Sequence, residues 1–172
     1  MATESPTDAN TARPALETGL YWGVRASFVN YITSGDGIIH AEGGVETDGH
    51  SLFRFPLVDV SDDGGLWRLR FAGTLRFFAH FGALDVGFDA PRVELGDAGR
   101  MIVGVRGSDV EIARVQPAAP VLVEDRLIWP PLRTTLTPEG AAVFGDAYAP
   151  GEELDALRVV ATSSRRGKEG ER

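Results

Sequence analysis

Apolar residues along the chain recur with two different periods, and the changes between them mark out the elements. From Leu66 to Ala83, Trp67, Leu69, Phe71, Leu75, Phe77, Phe81 and Ala83 fall at odd positions, while Arg68, Arg70, Thr74, Arg76 and His80 fall at even ones. Strict two-residue alternation sends successive side chains to opposite faces, so this stretch predicts one long half-buried strand. Gly73 is expected to bend it. After Gly82 the phase reverses, with Leu84, Val86 and Phe88 now apolar, which predicts a bulge or tight turn at Gly82 and a strand beyond. In Gly19 to Ile32, GLYWGVRASFVNYI, the spacing is instead three to four: Val24, Phe28 and Ile32, with Val29 beside them, predict an amphipathic helix, which Gly35 and Gly37 end. Ser27 and Tyr31 are four apart and so share one face of it.

Shorter patterns fill the rest. Ile38 to Val45 and Ser51 to Val58 predict strands joined at Asp48-Gly49, with Pro56 suited to an edge or bulge. Pro91 to Leu95, Met101 to Val105, Val110 to Val115, Val121 to Val123, Leu127 to Leu132 and Leu154 to Ala161 predict further short strands separated by turn residues. Thr137-Pro138-Glu139 is a helix start, a capping threonine followed by proline at the first helical position, and Gly145 ends that helix. Many short strands with frequent turns predict a mainly β domain, an antiparallel sandwich or barrel with two short helices.

Composition narrows the function. The 172 residues are 43% hydrophobic and 24% charged, the balance of one globular domain with a real core. There is no cysteine, which excludes disulfides, thiolate zinc sites, iron–sulfur clusters and a cysteine nucleophile. A formal charge of -8 argues against nucleic-acid binding. Residues 1–18 have neither a basic start nor an apolar run, so they are expected to form a disordered leader rather than a signal peptide, and residues 163–172 a disordered charged tail. The ordered domain is then 19–162, with no membrane segment, and a cytoplasmic location is the default.

Chemistry-bearing residues are few. His80 stands on the polar face of the predicted strand beside Phe78, just before the phase change. By pattern alone the plain interpretations come first: a rim histidine with one hydrogen bond, and a helical Tyr31 whose ring packs while its hydroxyl is satisfied. Ser27 alone signals nothing. There is no GxSxG elbow, phosphate loop or dinucleotide fingerprint, and His40 and His50 lack metal-ligand spacing.

Taken together, GLYWGVRASFVNYI, FRFP, LRFAGTLRFFAHFGALDVGFDAPRVEL and LTPEGAAVFGDAYAPGEELDAL, in that order, resemble the HtaA conserved-region family of actinobacterial haem-binding and haem-transport proteins. The resemblance covers nearly all of Gly19 to Val160. It implies a mostly β fold whose short N-terminal helix carries the haem ligand: Tyr31 of the SFxxY motif as axial ligand to ferric haem iron, His80 of the HxGxL motif holding that tyrosine, and Ser27 against the haem.

Chemistry agrees with those roles. A phenolate is a hard anionic ligand that favours ferric iron. A free phenol has a pKa near 10, so ligation at neutral pH needs the iron or a hydrogen-bond partner to favour deprotonation, and a neighbouring imidazole does this. Phe28, Phe78, Phe81 and Tyr21 are expected to cover the haem faces, and Arg25 or Arg76 to meet a propionate. Relatives are often secreted or membrane-anchored and carry several copies of the domain, whereas one copy without an export signal is visible here. The expectation is therefore a non-enzymatic carrier, buffer or transfer protein for haem b in the ferric state, working inside the cell. Its partners would be haem and other haem-transfer proteins, and its oligomeric state is left open. The alternatives are a haem-dependent peroxidase-like or haem-modifying enzyme, and a binder of another tetrapyrrole or apolar ligand on the same fold.

Overall fold

The computed structural model describes residues 17–48 and 52–163. The predicted leader before residue 17, Gly49 of the Asp48-Gly49 turn, His50, and the charged tail beyond residue 163 lie outside them.

In chain order the elements are β1 (Gly19–Trp22), α1 (Ala26–Ser34), β2 (Ile38–Glu42), β3 (Glu46–Thr47), β4 (Phe53–Phe55), β5 (Leu57–Asp63), β6 (Leu66–Phe71), β7 (Thr74–Ala79) and β8 (Leu84–Leu95). They continue with β9 (Gly99–Val105), β10 (Ser108–Val115), β11 (Val121–Val123), β12 (Arg126–Ile128), β13 (Leu132–Leu136), α2 (Pro138–Val143) and β14 (Glu153–Thr162). The strands form an antiparallel, barrel-like sheet in the order β2-β7-β8-β9-β10-β13-β14-β1-β4-β3. The β5–β6 hairpin extends from β8, and the β11–β12 hairpin from β14.

Several predicted boundaries differ: Ser51 to Val58 divides at Pro56 into β4 and β5, and the strand after Gly82 and that from Pro91 to Leu95 are the single strand β8. The helix expected from Gly19 begins only at Ala26, because Leu20 and Trp22 are buried, Tyr21 between them is not, and the strand they form lies between β14 and β4. Four residues are too few for their alternation to outweigh the helical spacing that follows. Val24, with a positive φ of 62°, turns the chain from strand to helix. The long strand from Leu66 is two segments on one partner: β6 pairs with β8 from Trp67↔Leu95 to Arg70↔Arg92, and β7 from Thr74↔Asp89 to Ala79↔Leu84. The break falls at Gly73, where φ is +105° and a Cβ would lie 2.4 Å from Val45 Cγ2, so only glycine lets the turn after β2 approach. Leu127 to Leu132 likewise divides at Pro130-Pro131, which have no N–H to continue a ladder.

The core beneath the site is aromatic. α1 buries Phe28, Val29 and Ile32. The Phe28 ring meets Phe77 of β7 at 5.1 Å and Phe144, just beyond α2, at 5.2 Å, both edge-on. Phe88 of β8 joins Phe77, Phe144 and Trp22 of β1 into the same cluster. Edge-to-face contacts contribute beyond area burial and fix ring orientation, so α1 is seated in one position. α2 starts as predicted. Thr137 Oγ1 accepts from the Gly140 N–H at 2.9 Å and lies 2.5 Å and 3.1 Å from the Glu111 and Ile112 carbonyls, to which it donates.

Candidate functional site

Tyr31 lies on α1 one turn beyond Ser27, on the face opposite the buried Phe28, Val29 and Ile32, and is 52% exposed. Its hydroxyl is hydrogen-bonded to Nε2 of His80, with the rings tilted 53° and their centroids 5.5 Å apart. The two residues come from parts of the chain 49 positions apart.

His80 is not on a strand. β7 ends at Ala79, and His80, Phe81, Gly82 and Ala83 form the turn into β8. His80, Phe81 and Gly82 have φ of 53°, 56° and 89°, three consecutive left-handed residues, and the Ala83 N–H closes the turn on the His80 carbonyl at 3.0 Å. The phase change at Gly82 therefore does mark a tight turn, but one that begins two residues earlier. Left-handed backbone costs an L-residue roughly 1–2 kcal/mol. Here it occurs at two residues with side chains, His80 and Phe81. It brings the His80 imidazole onto Tyr31 and leaves the Phe81 ring fully exposed beside the pair.

A second polar cluster adjoins Ser27. Arg25 Nε donates to Ser27 Oγ at 3.2 Å, and the Tyr148 hydroxyl is 3.4 Å from the same oxygen. The Arg25 guanidinium lies over the Tyr148 ring, 4.1 Å from its centroid, with Glu152 3.7 Å away. Arg25 Nη1 has no hydrogen-bond partner among the described residues. Tyr148 is a neighbour that the sequence pattern does not single out. Its signal was its place in GDAYAPGEEL, an aromatic in a turn segment rather than on a periodic face. With Ser27 one helical turn from Tyr31, the cluster extends the exposed face of α1 in two directions, toward the turn after β7 and toward Tyr148.

The remaining candidates are distributed differently. Phe28 is only 4% exposed and supports α1 from below. Phe78 is half-buried between Arg76, whose guanidinium is 4.7 Å from its ring centroid, and His40, edge-on at 5.8 Å. Arg76 is committed to both carboxylate oxygens of Asp85, at 3.1 and 3.2 Å. Tyr21 points instead into a separate groove beside Trp129, its hydroxyl donating to the Glu17 carbonyl at 2.7 Å. Burial pushes its pKa above 10.0, with Arg54 opposing and Glu17 adding to the rise. Among the described residues no three His, Asp or Glu side chains gather to hold a metal ion, and no helix is long and apolar enough to cross a membrane.

An exposed phenol hydrogen-bonded to an imidazole is a donor set for a hard, electron-poor metal centre that arrives already partly coordinated. The nitrogen partner orients the phenol and adjusts its basicity.

The family model described as Htaa matches residues 17–160. Among solved structures, the C-terminal domain of HtaA from Corynebacterium glutamicum is similar with a TM-score of 0.71 at 24% identity, over 86% of this chain and 99% of that one. The N-terminal domain of the same protein has a TM-score of 0.71 at 24% identity, over 88% and 99%. The haem-binding protein HtaB of that organism has a TM-score of 0.65 at 24% identity, over 84% and 92%. No curated protein matches the sequence.

Proposed function

The chain belongs to the HtaA family, and from that premise we propose that it is a non-enzymatic ferric haem-binding protein that holds haem for storage or transfer. The observation that carries this is the pairing of the half-exposed Tyr31 hydroxyl with His80 Nε2 across 49 residues of chain. Tyr31 would be the axial ligand to the iron of haem b. His80 would take or share the phenolic proton as the iron approaches, which keeps a bound phenolate supported at neutral pH.

The flanking residues suit a flat, amphiphilic macrocycle. Phe81, fully exposed beside the pair, offers an aromatic face. Arg25, Ser27 and Tyr148 supply donors for a carboxylate on the other side of Tyr31, and Arg25 already stacks in a fixed orientation. Phe28 supports the helix from beneath, and Arg76, occupied by Asp85, is the weaker of the two arginine candidates. A hard anionic oxygen ligand favours iron(III), so reduction provides a route to release.

The test is a titration of the purified apoprotein with ferric haem, with absorption spectra before and after reduction. Saturable one-to-one binding with a phenolate-type ferric spectrum, weakened on reduction, is expected. Tyr31→Phe keeps the ring and removes the oxygen, so it should abolish that spectrum; an unchanged spectrum and affinity would remove Tyr31 from the site. His80→Ala should weaken binding by about 10–100-fold, the usual cost of losing a group that supports a ligand. A loss as complete as that of Tyr31→Phe would instead make His80 itself a ligand.

A further inference from the structure

A second concavity, of 590 Å³, shares no residue with the Tyr31–His80 pair or the Arg25–Ser27–Tyr148 cluster. Its volume lies within the roughly 300–1,000 Å³ typical of small-molecule sites. Tyr21 of β1 and Arg158 of β14, direct cross-strand partners, lie on one side. Val121 and Val123 of β11, Ile128 of β12 and Trp129 form the apolar wall.

Two features of this groove call for a ligand of particular chemistry. Of the seven large hydrophobic side chains exposed among the described residues, three are the consecutive Val121, Leu122 and Val123, and two of these face the groove. Contiguous exposed apolar surface of this kind marks a binding face rather than ordinary scatter. The second feature is charge. Arg25, Arg54, Arg68, Arg76, Arg92, Arg100 and Arg133 each have an acidic partner, whereas Arg158, like Arg70, Arg106 and Arg114 elsewhere on the surface, has no ion pair among the described residues. A free guanidinium at the edge of an apolar groove, on a chain of net charge -8, is complementary to a single anionic head on an apolar body. Beside it the Tyr21 hydroxyl spends its proton on Glu17 and keeps its oxygen as an acceptor.

We propose that this groove is a second ligand site, for a small amphipathic carboxylate whose apolar body lies along Val121, Val123, Ile128 and Trp129 and whose carboxylate meets Arg158. The site is independent of the proposed haem site.

The probe is dodecanoate below its micelle concentration, titrated into the full chain by calorimetry, with 1-dodecanol as the uncharged comparison. Saturable binding of dodecanoate, with 1-dodecanol weaker, is expected. Arg158→Gln should lower dodecanoate affinity by about ten-fold, the loss of one charge-assisted hydrogen bond, and leave 1-dodecanol unaffected. Val123→Asp, at a position 49% exposed, should abolish binding of both, with unchanged thermal unfolding as the check on integrity. Tyr31→Phe should bind dodecanoate as the unaltered chain does. No saturable binding, equal affinity in Arg158→Gln and Val123→Asp, or a loss in Tyr31→Phe would overturn the assignment.

Discussion

Replacing Phe81 by glycine should make the protein more stable while impairing the function proposed for it. Phe81 has φ 56° and ψ 35°, inside the left-handed region, and its ring is fully exposed. Relief of the left-handed penalty is worth roughly 1–2 kcal/mol. The extra freedom of glycine in the unfolded chain takes back roughly 0.5–1 kcal/mol. With no packed surface lost, the net gain spans about 0–1.5 kcal/mol and centres on ~0.75 kcal/mol, a rise in melting temperature of about 2–3 °C for a domain of this size. Phe81→Ala removes the same ring but keeps the strain, and should be close to neutral. Denaturant unfolding of the apoprotein and its two variants measures the difference directly. If Phe81→Gly is no more stable than Phe81→Ala, the turn carries no strain at this position and the argument fails. In the same pair, haem should dissociate faster from both variants, since both lack the ring. A bulky residue kept in a strained, solvent-exposed conformation is then explained by what it covers rather than by the fold.

Two further substitutions probe the support around the site. Thr137→Val preserves shape but removes the cap on α2 and leaves the Gly140 N–H without its acceptor, which should cost about 1–3 kcal/mol in urea unfolding; a loss within error of zero would mean the segment rearranges. Tyr21 bears on pH dependence. Its folded-state pKa is raised above 10.0 by burial, so the neutral phenol favours the fold, and that stability is present below pH 10 and lost as pH rises through the folded value. Tyr21→Phe should flatten the fall in urea midpoint above pH 10, and identical slopes for the two proteins would show that Tyr21 is not responsible.

Elements with several turns of unbroken pattern were legible from the sequence, and those whose placement depends on distant partners were not. The alternation from Leu66 to Phe88 located the β6–β7–β8 hairpin system and its two glycine breaks, because one face of those strands is buried and the other is not. Thr137-Pro138 located α2 through a local hydrogen bond that needs no tertiary context. The sequence pattern assigns β1 to the helix, because its strand character comes from β4 and β14, one of them nearly the whole domain away. Within the site, helical spacing placed Ser27 and Tyr31 on one face, and the resemblance to a known family paired Tyr31 with His80. Pattern did not reveal that His80 sits in a left-handed turn, since its even position continued the strand's alternation by coincidence. Tyr148 escaped for a related reason: it approaches Ser27 across 121 residues, from a segment with no periodicity to interpret.

The seat of α1 also sets an order of events during biosynthesis. β1, immediately before the helix, is paired on one side with β14, Gly19 opposite Val160, and the Ala26 N–H at the start of the helix lies 3.4 Å from Oδ1 of Asp155. The tyrosine-bearing helix therefore emerges early and finds Phe77 of β7 well before the chain ends, but the strand that leads into it keeps an open edge until β14 has been made. Without β14 the strand that feeds the helix is held by β4 alone, so the geometry of the Tyr31 face is complete only once the last strand of the domain is in place.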